Sequence, residues 1–208
     1  MILVSSGAVA AGRAELHVDH HLDSVEQRQL FSAIGQVKLI GLYYDLFREY
    51  KIKVGQVLTM KENFGAEEQY KNQEACMQVM LENDVLPIVN ENDSVSVDEI
   101  KIGDNDTLSA LTANLWAADL LILMSDIDGV YDKDPNTYDD AVLIESVSNV
   151  EELRKNISTE GKSEFGTGGM VTKLHAAEIV NRFGASMIIT NSRKENILGK
   201  LAAGEEKA

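Results

Sequence analysis

The sequence contains a single cysteine, Cys76, so no intrachain disulfide can form. That suits a reducing compartment, and a cytoplasmic protein is expected. Only 2 prolines and no low-complexity run occur in 208 residues, which speaks against a proline-rich linker or a disordered tail. No apolar run approaches the ~18 residues of a membrane span. Met1 leads straight into Ile2-Leu3-Val4, without the basic segment of a signal peptide. Positive charge is scarce: 19 Lys and Arg stand against 34 Asp and Glu, for a formal net charge of -15. Such a surface repels phosphate backbones and anionic lipid, which makes nucleic acid and membranes poor partners. An anionic small molecule is not excluded, because lysines and helix N-termini can reverse the field inside a cleft.

Hydrophobic residues make up 44% and charged residues 25%, enough for a sizeable core in one domain over 1–208. Short apolar runs alternate with helix-period segments. Strands are predicted at 2–5, 54–59, 85–89, 120–124 and 186–190, with an edge strand at Ile100 to Ile102. Pro87 argues against a central place for the third of these, since proline cannot donate to a ladder. Ser24 and Gln27 have capping-box form before a helix marked by Leu30, Ile34, Val37, Tyr43, Phe47 and Tyr50. Further helices are predicted up to Asn83 and over 107–118, 150–156 and 173–183. Cys76 and Trp116 read as packing residues, and His17, His20, His21 and His175 as exposed or structural rather than metal ligands. The alternation implies an α/β fold, a three-layer αβα sandwich with a mainly parallel open sheet. Ligands in such folds bind beyond the carboxyl ends of the strands. Polar segments stand at three of those ends: Ser5-Ser6-Gly7, Asn90 to Asp93, and Ser125-Asp126.

Four segments carry candidate chemistry. Ser5-Ser6-Gly7-Ala8 turns from strand to helix and aims backbone N–H groups at whatever lies beyond, an anion or carboxylate seat. Taken alone, a tight turn needing small residues explains it at least as well. Asn90-Glu91-Asn92-Asp93 and Gly103-Asp104-Asn105-Asp106 are dense in amides and carboxylates that can read an amino acid's ionic groups. Asp104 can also be a plain helix cap, but that leaves the other polar residues without a purpose. Ser125-Asp126-Ile127-Asp128-Gly129, running on to Asp134-Pro135, could hold a ribose or base, or could simply be turns. Gly166-Thr167-Gly168-Gly169-Met170-Val171-Thr172-Lys173 opens a helix and places a lysine near the positive end of its dipole. That sign is understandable if phosphate sits there. The Walker A spacing is absent, as is that of an EF-hand.

Taken in this order, the segments resemble the amino acid kinase superfamily and, within it, the glutamate 5-kinase family. Ser125-Asp126 with Gly129-Val130-Tyr131 is similar to the superfamily's nucleotide segment. Ser5 to Gly12, Val89 to Asp93 and Gly103 to Asp106 with Leu108-Ser109-Ala110 look like glutamate 5-kinase, and Gly166 to Leu174 resembles its phosphate loop. The resemblance implies phosphorylation of the glutamate γ-carboxylate by Mg-ATP, the first step of proline biosynthesis. It implies that Ser6, Asp93 and Asn105 contact glutamate, with Gly7 and Asn90 beside them. Ser125, Asp126 and the stretch Thr167, Gly168, Gly169, Met170, Val171, Thr172 and Lys173 would contact ATP. Lys173 would stabilise the phosphoryl group in flight, and Asp106 would orient the catalytic lysines. A homodimer or homotetramer is implied, with proline as a feedback inhibitor and no resident metal.

The family opens with a strand and a Lys-x-Gly-Ser-type loop that nothing here matches, and many members carry an additional PUA domain that is also unmatched. The chain is therefore expected to be incomplete at both ends, and weakly active without the lysine of that loop. Other carboxylate kinases of this fold, a catalytically impaired amino-acid or nucleotide binder, and the kinase half of a bifunctional synthase are the alternatives.

Overall fold

A computed structural model describes residues 1–96, 102–133, 135, 138–159 and 169–205, with 155–159 by backbone alone. The chain folds into two compact units, Met1–Leu108 and Ser109–Ala208. Its class is α/β with parallel principal strands, as the alternation predicts.

Unit 1 runs β1 (Leu3–Val4), α1 (Ala8–Glu15), α2 (Ser24–Arg48), β2 (Lys53–Thr59), α3 (Glu62–Gly65), α4 (Glu67–Glu82) and β3 (Val85–Glu91). Its sheet is parallel, in the order β1-β3-β2. β3 is therefore the middle strand, and the edge position expected from Pro87 is wrong. The reason is local. In a parallel ladder, successive residues direct their N–H and C=O groups to alternate sides. The Val89 carbonyl accepts from Ser5 N–H at 2.9 Å, so Pro87, two residues earlier, faces the β1 side as well. The β1 register begins only at Leu3 opposite Ile88, and the missing donor falls just before it. Burial on both faces explains the apolar run of β3, where Leu86, Ile88 and Val89 are buried.

The cap of α2 lies one residue earlier than expected. Asp23 accepts from the N–H groups of Val25 and Glu26, and Glu26 returns a bond to Asp23 N–H, so the capping box is Asp23/Glu26. α1 and α2 approach closely through two glycines. A Cβ on Gly12 would lie 1.8 Å from the Phe31 carbonyl oxygen, and one on Gly35 would lie 1.7 Å from that of Ala8. Only glycine allows these backbones to meet. On α4 the buried residues are Gln73 and Met77. Cys76 faces solvent, contrary to the packing role expected for it.

α5 (Asn105–Leu115) begins at the end of unit 1 and continues into unit 2. There follow β4 (Leu120–Ser125), β5 (Val130–Tyr131), β6 (Leu143–Ile144), α6 (Val150–Thr159), α7 (Gly169–Arg182), β7 (Ser186–Asn191) and α8 (Ile197–Ala203). β4 and β7 pair in parallel over six residues, and β5 and β6 form a short antiparallel pair. Leu123, Val130, Ala176, Val180 and Ile189 form the core of this unit with Ala110. Trp116 is half-buried, as a packing residue should be, with its indole nitrogen inside the protein. The β5–β6 pair and α8 were not anticipated, and the edge strand expected to start at Ile100 falls largely outside the described residues. No described helix is long and apolar enough to cross a membrane.

Candidate functional site

In unit 1 the polar segments meet at the carboxyl ends of β1 and β3. They line a cavity of about 660 Å³ whose walls include Ser6, Gly7, Asn90, Asp93 and Asn105, together with Ala8 to Ala10 and Arg13 of α1. The turn from β1 to α1 depends on Gly7, whose φ of 107° is a left-handed conformation that side chains resist. Tyr43 of α2 steadies this turn by donating to Ser5 Oγ at 2.7 Å. Ala8, Val9 and Ala10, the first residues of α1, line the cavity at the positive end of the helix dipole.

The other wall is held by side chains of β3. Asn90 is buried. Its amide donates to Gln36 Oε1 at 3.1 Å and accepts from Asn105 Nδ2 at 3.2 Å. Asn90 thereby positions Asn105 while lining the cavity itself. Glu91, also buried, accepts from the N–H groups of Ile102 and Gly103 through its two carboxylate oxygens. Asp104 accepts from Thr107 N–H at 2.7 Å and Thr107 Oγ1 at 2.9 Å, so it is the cap of α5. Asn105 and Asp106 occupy the first turn that this cap creates. Asp93 lies 3.9 Å from Arg28 Nε, with both side chains about four-fifths buried. Arg28 also donates to the Ser96 carbonyl at 3.2 Å.

In unit 2, Ser125 and Asp126 stand at the carboxyl end of β4. Ser125 donates to Asp126 Oδ1 at 3.1 Å, and Ser192 N–H donates to the Ser125 carbonyl at 2.8 Å. Asp128 lies 3.5 Å from Lys194 and accepts from the Tyr131 hydroxyl at 3.5 Å. Burial, the Asp128 charge and that hydrogen bond hold the Tyr131 phenol above its ordinary pKa, against a smaller pull from Lys194. α7 begins at Gly169, four residues before the expected start, so Lys173 belongs to its second turn. Helical side chains lean toward the N-terminus, so from there a lysine still reaches back toward the first turn. Thr172 donates to the Gly169 carbonyl at 2.9 Å, and the partly buried Met170 packs against the core. Val171 is exposed. Thr167 and Gly168 lie outside the described residues. A second cavity, of about 310 Å³, is lined mainly by Val130, Val150, Leu174, Ala177 and Met187. Ser125, Asp126 and Lys173 do not line it.

Unit 1 therefore brings together all five residues expected to bind the amino acid. Arg13, and the supporting roles of Glu91, Arg28, Gln36 and Tyr43, escaped the sequence. One signal existed for Arg13: Ala10, Arg13 and Ala14 follow i, i+3, i+4 spacing behind the turn, and all three line the cavity. Among the described residues no cluster of His, Cys, Asp or Glu forms a metal site. His17, His20 and His21 lie exposed in the connection before α2.

Residues 1–191 match the amino acid kinase family. The chain is 53% identical over 198 residues to a glutamate 5-kinase of Bacteroides thetaiotaomicron, covering 95% of this chain and 54% of that protein. It is 47% identical over 207 residues to a glutamate 5-kinase of Alkaliphilus metalliredigens, covering 100% of this chain and 78% of the relative. The chain thus spans about half the length of the first relative and over three quarters of the second. Among solved structures, an isopentenyl phosphate kinase shares the fold at TM-score 0.60 and 17% identity, over 96% of this chain and 75% of its own. Escherichia coli aspartokinase III does so at 0.55 and 17%, over 83% and 40%.

Proposed function

The chain belongs to the amino acid kinase family, among the glutamate 5-kinases, and from that premise we propose that it phosphorylates the γ-carboxylate of glutamate with ATP. The product is glutamyl 5-phosphate, whose formation opens proline biosynthesis. The observation that carries this function is the unit 1 cavity, where a helix N-terminus, two amides and one carboxylate line a single space. That set complements an amino acid with an additional carboxylate. Ser6, Gly7 and the first N–H groups of α1 suit a carboxylate, and Asp93 suits the ammonium group. Asn105, steadied by Asn90, would supply a further polar contact.

Ser125, Asp126 and the stretch from Thr167 to Lys173 would take the nucleotide. Lys173 would counter the charge that spreads over the phosphoryl oxygens, and Asp106 would orient a catalytic lysine. A glutamate γ-carboxylate, with a pKa of about 4.3, is ionised at neutral pH and needs no general base. One of its oxygens bonds to the γ-phosphorus, the bridging P–O bond breaks, and ADP leaves with that electron pair. The protein then has to supply alignment and positive charge rather than a proton acceptor. Mg²⁺ fits this chemistry as the counterion carried by the ATP phosphates.

The test is incubation with ATP, Mg²⁺ and glutamate in the presence of hydroxylamine, which traps the acyl phosphate as γ-glutamyl hydroxamate. Glutamate-dependent ADP and hydroxamate are expected, with little from aspartate or N-acetylglutamate. Hydroxamate formed preferentially from either of these would replace the substrate, and none from any of the three would overturn the function. Added proline should slow ADP release, and gel filtration should give a homodimer or homotetramer.

A further inference from the structure

Among the described side chains that line the unit 1 cavity, Arg13 supplies the only positive charge. It sits in the last turn of α1. Its guanidinium lies 5.5 Å from the centre of the Phe31 ring, and Nη2 donates to Gln27 Oε1 at a long 3.4 Å. Both contacts are with neutral groups. The nearby charges are matched elsewhere: Glu15 pairs with Lys38, and Asp93 faces Arg28. Among the described residues Arg13 forms no ion pair, in a chain whose net charge is -15. A basic residue in a last helical turn suits the helix dipole, and stacking on Phe31 suits its stem. Neither accounts for an arginine in the lining of a cavity for an acidic ligand.

We propose that Arg13 binds the α-carboxylate of the amino-acid substrate, an assignment that rests on the function proposed above. The α-carboxylate is the partner because the γ-carboxylate must keep a lone pair for phosphorus. A guanidinium forked onto both oxygens of the reacting group would withdraw the electron density that attack requires. The α-carboxylate takes no part in the reaction and can be held throughout. With Asp93 on the ammonium group, the cavity carries one charge of each sign, the complement of a zwitterionic head group. It then selects α-amino acids with an acidic side chain and discriminates against a ligand whose α-carboxylate is neutralised.

Calorimetric binding of glutamate and of glutamic acid 1-amide, which keeps the γ-carboxylate and loses the α-charge, tests this directly. Arg13→Gln should weaken glutamate binding by about 10- to 100-fold, the range for a hydrogen bond to a charged group. Its affinity for the 1-amide should stay within about twofold of the wild type, and Arg13→Lys should recover part of the glutamate affinity. Far-ultraviolet circular dichroism should be unchanged. Equal glutamate affinity in Arg13→Gln and wild type overturns the assignment. So does an equal loss for glutamate and its 1-amide, which marks a purely structural role. A wild-type chain that binds neither amino acid would overturn the proposed function, and the role of Arg13 with it.

Discussion

The candidate binding segments of the two units are secured in different ways. In unit 1 the cavity walls are tied by buried side chains: Asn90 to Gln36 and Asn105, Glu91 to two backbone N–H groups, and Tyr43 to Ser5. Behind them α1 is locked against α2 at Gly12 and Gly35. In unit 2, Ser125 ends the β4–β7 ladder and Asp126 follows it, and the described side-chain ties around them are long or exposed. The contrast suits the proposed roles. A small zwitterion is recognised by a few directed groups that must be held still, at an energetic cost if any buried one loses its partner. Phosphates are taken largely by backbone N–H groups and a flexible lysine, which need less side-chain scaffolding.

The largest effect that would sharpen this contrast comes from the helix crossing. Gly35→Ala drives a methyl into the Ala8 carbonyl, and unit 1 should lose about 3 kcal/mol of stability in urea denaturation. Gly41→Ala in the same helix meets nothing within 4 Å and should instead stabilise by about 0.5–1 kcal/mol. Equal effects from the two would refute a locked crossing. Next comes Glu91→Gln, which turns an amide N–H₂ toward a backbone donor that now lacks its acceptor. A loss of about 1–3 kcal/mol is expected, with glutamate affinity falling by about tenfold as the Ile102-Gly103 loop is released. Unchanged affinity would show that the loop needs no such clamp.

In unit 2 the corresponding change should be small. Asp128→Asn removes the ion pair with Lys194, worth at most about 1 kcal/mol at that exposure. It should also lower the Tyr131 phenol pKa, since the Asp128 charge and hydrogen bond help to raise it. The sign is fixed by linkage. Below the ordinary tyrosine pKa of about 10 the phenol is neutral in both states, and its contribution to stability is fully present. Above that pH the unfolded chain ionises first, so the contribution fades as pH rises through the folded value. Stability should therefore fall with alkaline pH less steeply in the variant, checked by phenolate absorbance against Tyr131→Phe. A loss in Asp128→Asn as large as that in Glu91→Gln would erase the contrast between the units.

Much of the arrangement was legible because apolar runs end abruptly in polar residues. Val85 to Val89 followed by Asn90 to Asp93 is a buried strand meeting a site, and Asp104 before Thr107 is a cap. Pro87 misled because the ladder rule counts a missing donor without asking which side it faces, and sidedness depends on where β1 pairs. Cys76 misled because α4 buries only Gln73 and Met77, a strip narrower than its apolar content suggests. Gly35 gave no local signal, since a glycine within a helix announces a close approach only when the partner backbone is known. The β5–β6 pair, with two residues in each strand, is too short to show a period.

The exposure of Cys76 has a spectroscopic consequence. It is the chain's single cysteine and lies in unit 1, while the single tryptophan, Trp116, lies in unit 2. A thiol-reactive dye therefore attaches at one known position, and one intrinsic fluorophore excites it. Energy transfer from Trp116 to a dye on Cys76 is then an internal ruler between the two units, built from native residues alone. Its efficiency, read with glutamate, with nucleotide and with both, turns substrate binding into a distance.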